Sequence, residues 1–335
     1  MELNLEARYY TDPGVFASER KGLMSQTWQM LGPASRVSNA GQYVSEDIAG
    51  IKVLVVRGLD GTLRGFRNVC RHRGAQLVAP GAGKLRSIRC PYHCWTYDTG
   101  GSLLNAPWFG ESADFDPADW SLDEIPVDTW RGLLFVALSP EEPLADQLAA
   151  TVDELSDVEM ESFLHAEQVR LAFDANWKIY TDNFVEGYHI PGIHPDFFAA
   201  IDFEQFRTTA GDNLVKMTAP PRDGLFYQGR WYWMWPNWTL SLFQGGMNTS
   251  RINPLGSNRT ELIYDFYFAD MAEQSAQARS NTIARNLAVV REDFSICLHT
   301  HANYASGGYR PGPLSPRHET GVQWFQQRYR ESIEA

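Results

Sequence analysis

The chain has 335 residues, 44% of them hydrophobic, and a formal net charge of −12. The length exceeds one average domain, the apolar share supplies a sizeable core, and the excess of acids argues against a nucleic acid or an anionic membrane as partner. Four cysteines are too few for a disulfide framework, no apolar run approaches the roughly 18 residues of a membrane span, and the polar start "MELNLEARYYTDPG" is not that of a signal peptide, so a cytoplasmic location is expected.

In chain order, residues 1–30 read as a helical opening segment ending near Trp28. From Val37 to Ser139 the pattern is short strands and turns. "IKVLVVRGLDGTLRGFRNVC" places apolar runs either side of "GLDGT", a hairpin signal, and "TYDTGGSLLNAP" gives another. "VDTWRGLLFVALSP" reads as one strand ended by Pro140, and the acidic, helical "EEPLADQLAATVDELSD" as a connection between domains. "WKIYTDNFVEGYH" reads as a helix. Long strands follow between Asn213 and Phe268, then a helix from about Gln274 to His299 and another near Val322 to Ser332. The order is an all-β insertion followed by an α+β domain.

"CRHRGAQLVAPGAGKLRSIRCPYH", Cys70 to His93, holds two pairs, Cys-x-His and Cys-x-x-His, 17 residues apart. Each pair follows a predicted strand, with Gly74 and Pro91 available to turn the chain, so two loops can close on one metal centre. Zinc is the rival reading, but zinc fingers usually pair Cys with Cys and His with His. One thiolate and one imidazole from each loop suit a [2Fe–2S] cluster of the Rieske type, with two Cys on one iron and two His on the other. Cys94 and Cys297 read as packing residues.

"CRHRG" with "CPYHCWTYDTGG" resembles the Rieske domain of the Rieske non-haem iron oxygenases, catalytic alpha subunit. The resemblance implies that Cys70 and Cys90 hold one iron of the cluster, that His72 and His93 hold the more exposed one, and that Tyr92, Trp95 and Tyr97 shield it. A Rieske cluster moves single electrons and does no substrate chemistry itself, so the rest of the chain must distinguish an enzyme from an electron carrier.

"DNFVEGYHIPGIHPDF" addresses that question. His189 and His194 are five apart, Glu186 is three before the first, and Pro191 is expected to break the helix so that both imidazoles turn to one point. Two His alone are a weak metal signal, but this stretch resembles the family's E/D-x-x-H-x4-H motif, and the Rieske pairs lie upstream in the right order. A mononuclear Fe(II) site of the 2-His-1-carboxylate kind needs an acid as its third ligand. Glu292 and Asp293 are the candidates in "ARNLAVVREDFSICLHTH"; neighbours on a helix point about 100° apart, so one alone can face the iron. The resemblance implies Asp293, with Glu292 second. His299 and His301 are read as solvent or core histidines, and His165 and His318 have no motif context.

By the same resemblance Glu186 is not a ligand. It hydrogen-bonds His189 in its own subunit and a cluster His, His93, of a neighbouring one, forming an electron bridge. Glu rather than Asp at this position resembles the choline-, betaine- and carnitine-type monooxygenases. The likeness extends to "NWK" before the iron motif and to the C-terminal "YRPGPLSPRHETGVQWF". It implies an α+β fold: an N-terminal helical part of the catalytic domain (1–36), an all-β Rieske [2Fe–2S] domain (37–140), and a helix-grip (START-like) catalytic domain with a curved antiparallel sheet (141–335). It also implies a homotrimer, and a separate flavin- or ferredoxin-type reductase that passes on electrons from NAD(P)H. No nicotinamide- or flavin-binding glycine fingerprint is present in this chain.

The expected function is O2-dependent hydroxylation of a small organic substrate, with N- or O-dealkylation or C–N cleavage where the hydroxylated carbon adjoins nitrogen or oxygen. Aromatic ring cis-dihydroxylation is the enzymatic alternative, and a Rieske electron carrier the non-enzymatic one. In "LFYQGRWYWMWPNWTLSLFQGGMN" alternation places Trp231, Trp233 and Trp235 on one strand face, with Trp238 beyond. That face could line the pocket, where it would hold a quaternary ammonium by cation–π attraction or a flat aromatic ring, or it could pack the sheet against helices.

Overall fold

The computed structural model describes residues 2–222 and 227–334, so Leu225 and Phe226 of the aromatic stretch lie outside the described residues. The chain divides into two compact units, residues 1–25 with 142–335, and residues 26–141.

In the first unit, seven strands among the described residues form one sheet: β1 (Leu164–Phe173), β2 (Arg207–Gly211), β3 (Leu214–Thr218), β4 (Tyr227–Met234), β5 (Trp238–Phe243), β6 (Gly246–Gly256) and β7 (Arg259–Phe268). Their order is β1-β7-β6-β5-β4-β3-β2, antiparallel throughout. Register shifts at His165/Glu167, Tyr227/Trp231 and Pro254/Gly256 bend the strands, giving the curved sheet of a helix-grip fold. The unit's principal helices are α1 (Pro13–Lys21), α2 (Trp177–Phe184), α3 (Ile190–Ile193), α4 (Pro195–Ala200), α5 (Ala276–Ala305) and α6 (Thr320–Glu334). Along α5, Ile283, Leu287, Val290, Asp293, Cys297, His301 and Tyr304 are buried, a stripe of helical period in which Asp293 takes a core position.

"NWK" fixes the start of α2. Asn176 caps it, its Oδ1 accepting from Lys178 N at 3.0 Å. Trp177 Nε1 donates to Glu19 Oε2 at 2.9 Å, and the Lys178 ammonium donates to Glu19 Oε1. Lys178 and Glu19 are fully buried, with the rings of Tyr10, Trp177 and Tyr329 around the ammonium. A paired, hydrogen-bonded charge is tolerated in a core; an unpaired one is not. The salt bridge therefore ties the N-terminal α1 to the helix that leads into the His189–His194 stretch.

The second unit contains a five-stranded sheet, a three-stranded sheet of Ile88–Arg89, Thr96–Tyr97 and Leu103–Asn105, and a third sheet in which Gln29–Pro33 pairs with Leu133–Val136. Two expectations are corrected here. The helical opening ends at Gln26, near Trp28 as expected, but residues 29–33, inside the part expected to be helical (1–36), are a strand: Gly32 sits at φ 109° and Pro33 follows, and neither suits a helix interior. "VDTWRGLLFV" is a hairpin rather than one strand, because Arg131 and Gly132 both take positive φ (46° and 82°) and turn Trp130 back onto Leu133. The "GLDGT" hairpin forms as expected, with Arg57 opposite Leu63.

Among the described residues, no helix is long and apolar enough to cross a membrane.

Candidate metal centres and substrate cavity

The two Cys/His loops have the same backbone. Cys70 N donates to Ala75 O and Cys90 N to Trp95 O, both at 2.8 Å; Gly74 N and Cys94 N return to Cys70 O and Cys90 O at 3.0 and 3.1 Å. Gly74 and Cys94 therefore occupy matching places, with φ of 71° and 59°. The residue that turns the second loop is Cys94 rather than Pro91, in a conformation that glycine adopts more readily. Cys70 and Cys90 are buried, while His72 and His93 lie at the edge with ring centroids 4.6 Å apart.

Buried His72 Nδ1 has no partner among the described residues. Burial, with His93 and Arg73 adding to it, disfavours the charged form of His72 and keeps the neutral, metal-binding form. Two buried thiols and two imidazoles, one with an orphaned nitrogen, fit a cluster that takes sulfur ligands on its inner iron and nitrogen ligands on its outer one. Trp95 stacks on His72 at 4.9 Å, and Tyr92 lies 3.7 Å from His93 with the Arg73 guanidinium over it. Tyr97 does more than shield: its hydroxyl lies 3.3 Å from Cys70 Sγ and accepts from Arg71 N at 3.2 Å.

The second constellation lies in the catalytic unit. One ligand atom from each of His189, His194 and Asp293 falls within 4.8 Å of the others. His194 Nε2 is 2.9 Å and His189 Nε2 3.8 Å from Asp293 Oδ1. The chain reaches this arrangement differently from the expected break at Pro191. Helix α2 ends at Phe184, ahead of both histidines. Pro191 lies in the first turn of α3, where its missing N–H costs nothing, and Pro195 starts α4 directly after His194. Gly187 lies in the gap; a Cβ there would come within 2.5 Å of the Phe206 ring.

The acids divide the work. Glu186 Oε1 accepts from His189 Nδ1, while its Oε2 accepts from the backbone N–H groups of Tyr188 and His189. Asp293 also accepts from Asn183 Nδ2 at 2.8 Å. Glu292, second choice as a ligand, instead bonds His194 Nδ1 at 2.6 Å. Burial opposes a charged His194, yet the bonds and charges of Asp293 and Glu292 prevail and raise its basicity. Neither His299, which is exposed, nor His301, which is buried, joins the group. His165 bonds Asp265 at 2.7 Å, and His318 stacks between Tyr188 and Phe203.

A cavity of about 90 Å³ opens onto these side chains. Phe184, Phe197, Phe206 and Trp231 form an apolar wall; Ser241, Asn248 and Asn286 contribute neutral polar groups. The tryptophan stretch divides. Trp231 lines the cavity, 5.3 Å from Phe197. Trp233 meets Phe325 of α6 at 5.2 Å, and Trp235 lies under Arg328 of that helix. Trp238 is fully buried.

The pattern described as the Rieske [2Fe–2S] domain matches residues 27–116, and that of the ring hydroxylating alpha subunit, catalytic domain, matches 160–229 and 207–335. The chain belongs to the Rieske oxygenase alpha subunits. The carnitine monooxygenase oxygenase subunit of Escherichia coli K12 is 30% identical over 91% of this chain and 85% of its own length. The chloroplastic choline monooxygenase of Spinacia oleracea is 27% identical over 95% of this chain and 76% of its own. The solved structure of the quaternary ammonium Rieske monooxygenase CntA in complex with L-carnitine superposes with a TM-score of 0.88, at 25% identity, covering 99% of this chain and 96% of that one. The chain is therefore the terminal component of a Rieske oxygenase, with a [2Fe–2S] cluster and a mononuclear iron as its cofactors. Such an enzyme uses O2 and electrons delivered from a reductase.

Proposed function

We propose that Cys70, His72, Cys90 and His93 hold the cluster, that His189, His194 and Asp293 hold the single iron, and that the enzyme hydroxylates a small amine at a carbon next to nitrogen, leading to N-dealkylation or C–N cleavage. When bound, the cluster supplies single electrons and the iron supplies O2 activation. The residues around them do the rest. Phe184, Phe197, Phe206 and Trp231 exclude water from the cavity and offer ring faces to a quaternary or tertiary ammonium, each contact worth roughly 0.5–2 kcal/mol. Glu186 and Glu292 hold the hydrogens of His189 and His194 at Nδ1, which leaves both Nε2 atoms for the metal.

The observation that carries this reading is the aromatic wall closing directly on the three ligand side chains, in a chain whose relatives are named for carnitine and choline. We further propose that the enzyme is a homotrimer of this chain, that Glu186 links His189 to His93 of a neighbouring subunit, and that a separate flavin- or ferredoxin-type reductase supplies electrons from NAD(P)H. The aromatic wall also suits a flat ring, so cis-dihydroxylation is the second reading. The test is a panel of quaternary amines, N-methyl compounds and aromatic acids with a generic reductase, read by O2 uptake and by products formed from labelled O2. Amine-dependent uptake with loss of an N-alkyl group supports the proposal. Uptake with aromatic compounds alone, with two labelled atoms in the product, contradicts it.

A further inference from the structure

Ser241 of β5 lies opposite Asn248 of β6, and one cross-strand row runs Met217, Trp231, Ser241, Asn248 through β3 to β6. All four line the cavity, so its floor passes from apolar and aromatic to neutral polar along a single line. Asn286 of α5 continues the polar end. Its Nδ2 donates to Thr282 O at 2.9 Å, which leaves its Oδ1 to accept from Asn248 Nδ2 at 3.2 Å. That chain of donors fixes the Asn248 amide: turning it over would set two oxygens against each other. Asn248 Oδ1 is then the end of the chain. The residue is 2% exposed, and this oxygen has no partner among the described residues. A buried acceptor without a donor is costly, and a ligand that brings one recovers that cost.

Charge supplies the second constraint. Among the described residues lining the cavity, the ionisable side chains other than tyrosine are Glu186, His189, His194 and Asp293, all taken up by the metal centre. No lysine or arginine lines it. A substrate carboxylate would meet no lysine or arginine among the described residues there, so the one cation left to it would be the iron itself.

We propose that Asn248 is a specificity-determining residue, and that the substrate is carboxylate-free and presents a hydroxyl or N–H donor to Asn248 Oδ1. Within the amine reading above, on which the substrate class rests, this points to an amino alcohol or its quaternary form rather than a betaine. The ammonium end lies against Trp231 and Phe197, and the donor end reaches the Ser241–Asn248 side.

The test is calorimetric binding to the iron-loaded enzyme under anaerobic conditions, using choline, its O-methyl ether and trimethylglycine. The ether loses the donor and adds one methyl, a size change that Asn248→Leu separates from the hydrogen bond; trimethylglycine adds the carboxylate. Wild type should bind choline about tenfold more tightly than either, the scale of one hydrogen bond to an otherwise unpaired buried group. In Asn248→Leu the choline-to-ether ratio should fall to about one, with affinity for the ether little changed. The wild-type ratios test the cavity's chemistry even if that variant does not fold. Indole and 1-methylindole form a second pair on the same acceptor. A donor preference confined to the indole pair, with no ammonium compound bound, would overturn the amine reading and keep the role of Asn248. Equal binding of donor and methylated partner in both pairs, trimethylglycine binding as tightly as choline, or a preference that survives Asn248→Leu would overturn the proposal.

Discussion

Glu292 Oε2 lies 2.6 Å from His194 Nδ1, on the opposite edge of the ring from Asp293 Oδ1, which is 2.9 Å from Nε2. Consecutive residues of one helix thus hold one imidazole from both sides. The acid on Nδ1 keeps the hydrogen there and leaves the Nε2 lone pair for the iron proposed at this site; Glu186 does the same for His189.

Glu292→Ala should therefore weaken iron retention about 10- to 100-fold, the usual effect of losing an orienting partner of a ligand, whereas Asp293→Ala should abolish it. Competition of each variant against a graded Fe(II) chelator reads the difference. Equal retention by Glu292→Ala and wild type would mean that Glu292 is only a half-exposed surface acid.

Glu186→Gln should retain both metal centres, since Glu186 is proposed as a ligand to neither, but the amide offers a donor end where two acceptor oxygens are in use. The cluster should still be reduced by the reductase while product formation stops or slows strongly. Product formed at the wild-type rate would remove Glu186 from the electron route.

Tyr97→Phe should lower the reduction potential of the cluster. The hydroxyl 3.3 Å from Cys70 Sγ stabilises charge on the sulfur, and that charge grows on reduction. A differential of about 1 kcal/mol, one hydrogen bond's worth, corresponds to about 40 mV for a one-electron couple. An unchanged potential with an intact cluster spectrum would show that the contact is packing only.

How much of this was legible in the sequence depends on how local the signal is. The Cys/His pairs and the His189–His194 stretch carry their chemistry in short spacing, and the sheet and long helices follow from periodicity. The role of Glu19 is not legible locally: its partners Trp177 and Lys178 are 158 and 159 residues away, and nothing nearby in the chain marks a buried acid. Alternation places Trp231 and Trp233 on one strand face, but not which neighbour each ring meets: Trp231 lines the cavity and Trp233 packs on Phe325 of α6. Proline breaks helix interiors, which makes Pro191 look like a breaker; it stands in a first turn, which only the end of α2 at Phe184 reveals. Helix spacing alone sets Glu292 against Asp293, whereas the structure gives both a place on His194 because the ring has two nitrogens.

Stability should fall as pH rises from about 4 to 7. Burial raises the Asp182 carboxyl from 3.8 to about 7, against the bonds from Tyr10 and Gln326 and the charge of Lys178. A folded-state value above the unfolded one means the native chain holds the extra proton; its contribution is complete below the unfolded value and lost by about pH 7. Asp182→Asn keeps an acceptor for Gln326 and can donate to Tyr10, so its melting temperature should vary less between pH 5 and 8. An identical pH profile in the variant would assign the dependence to other groups.

The most direct test of the account is a single turnover without reductase. The enzyme is reduced anaerobically, freed of reductant, and mixed with O2 and a substrate that supports uptake, while cluster absorbance and product are followed together. The account predicts that wild type re-oxidises its cluster and forms product only when substrate and O2 are both present, and that Asp293→Ala keeps its cluster reduced and forms none. Re-oxidation of Asp293→Ala at the wild-type rate, or of wild type with no product formed, would contradict it.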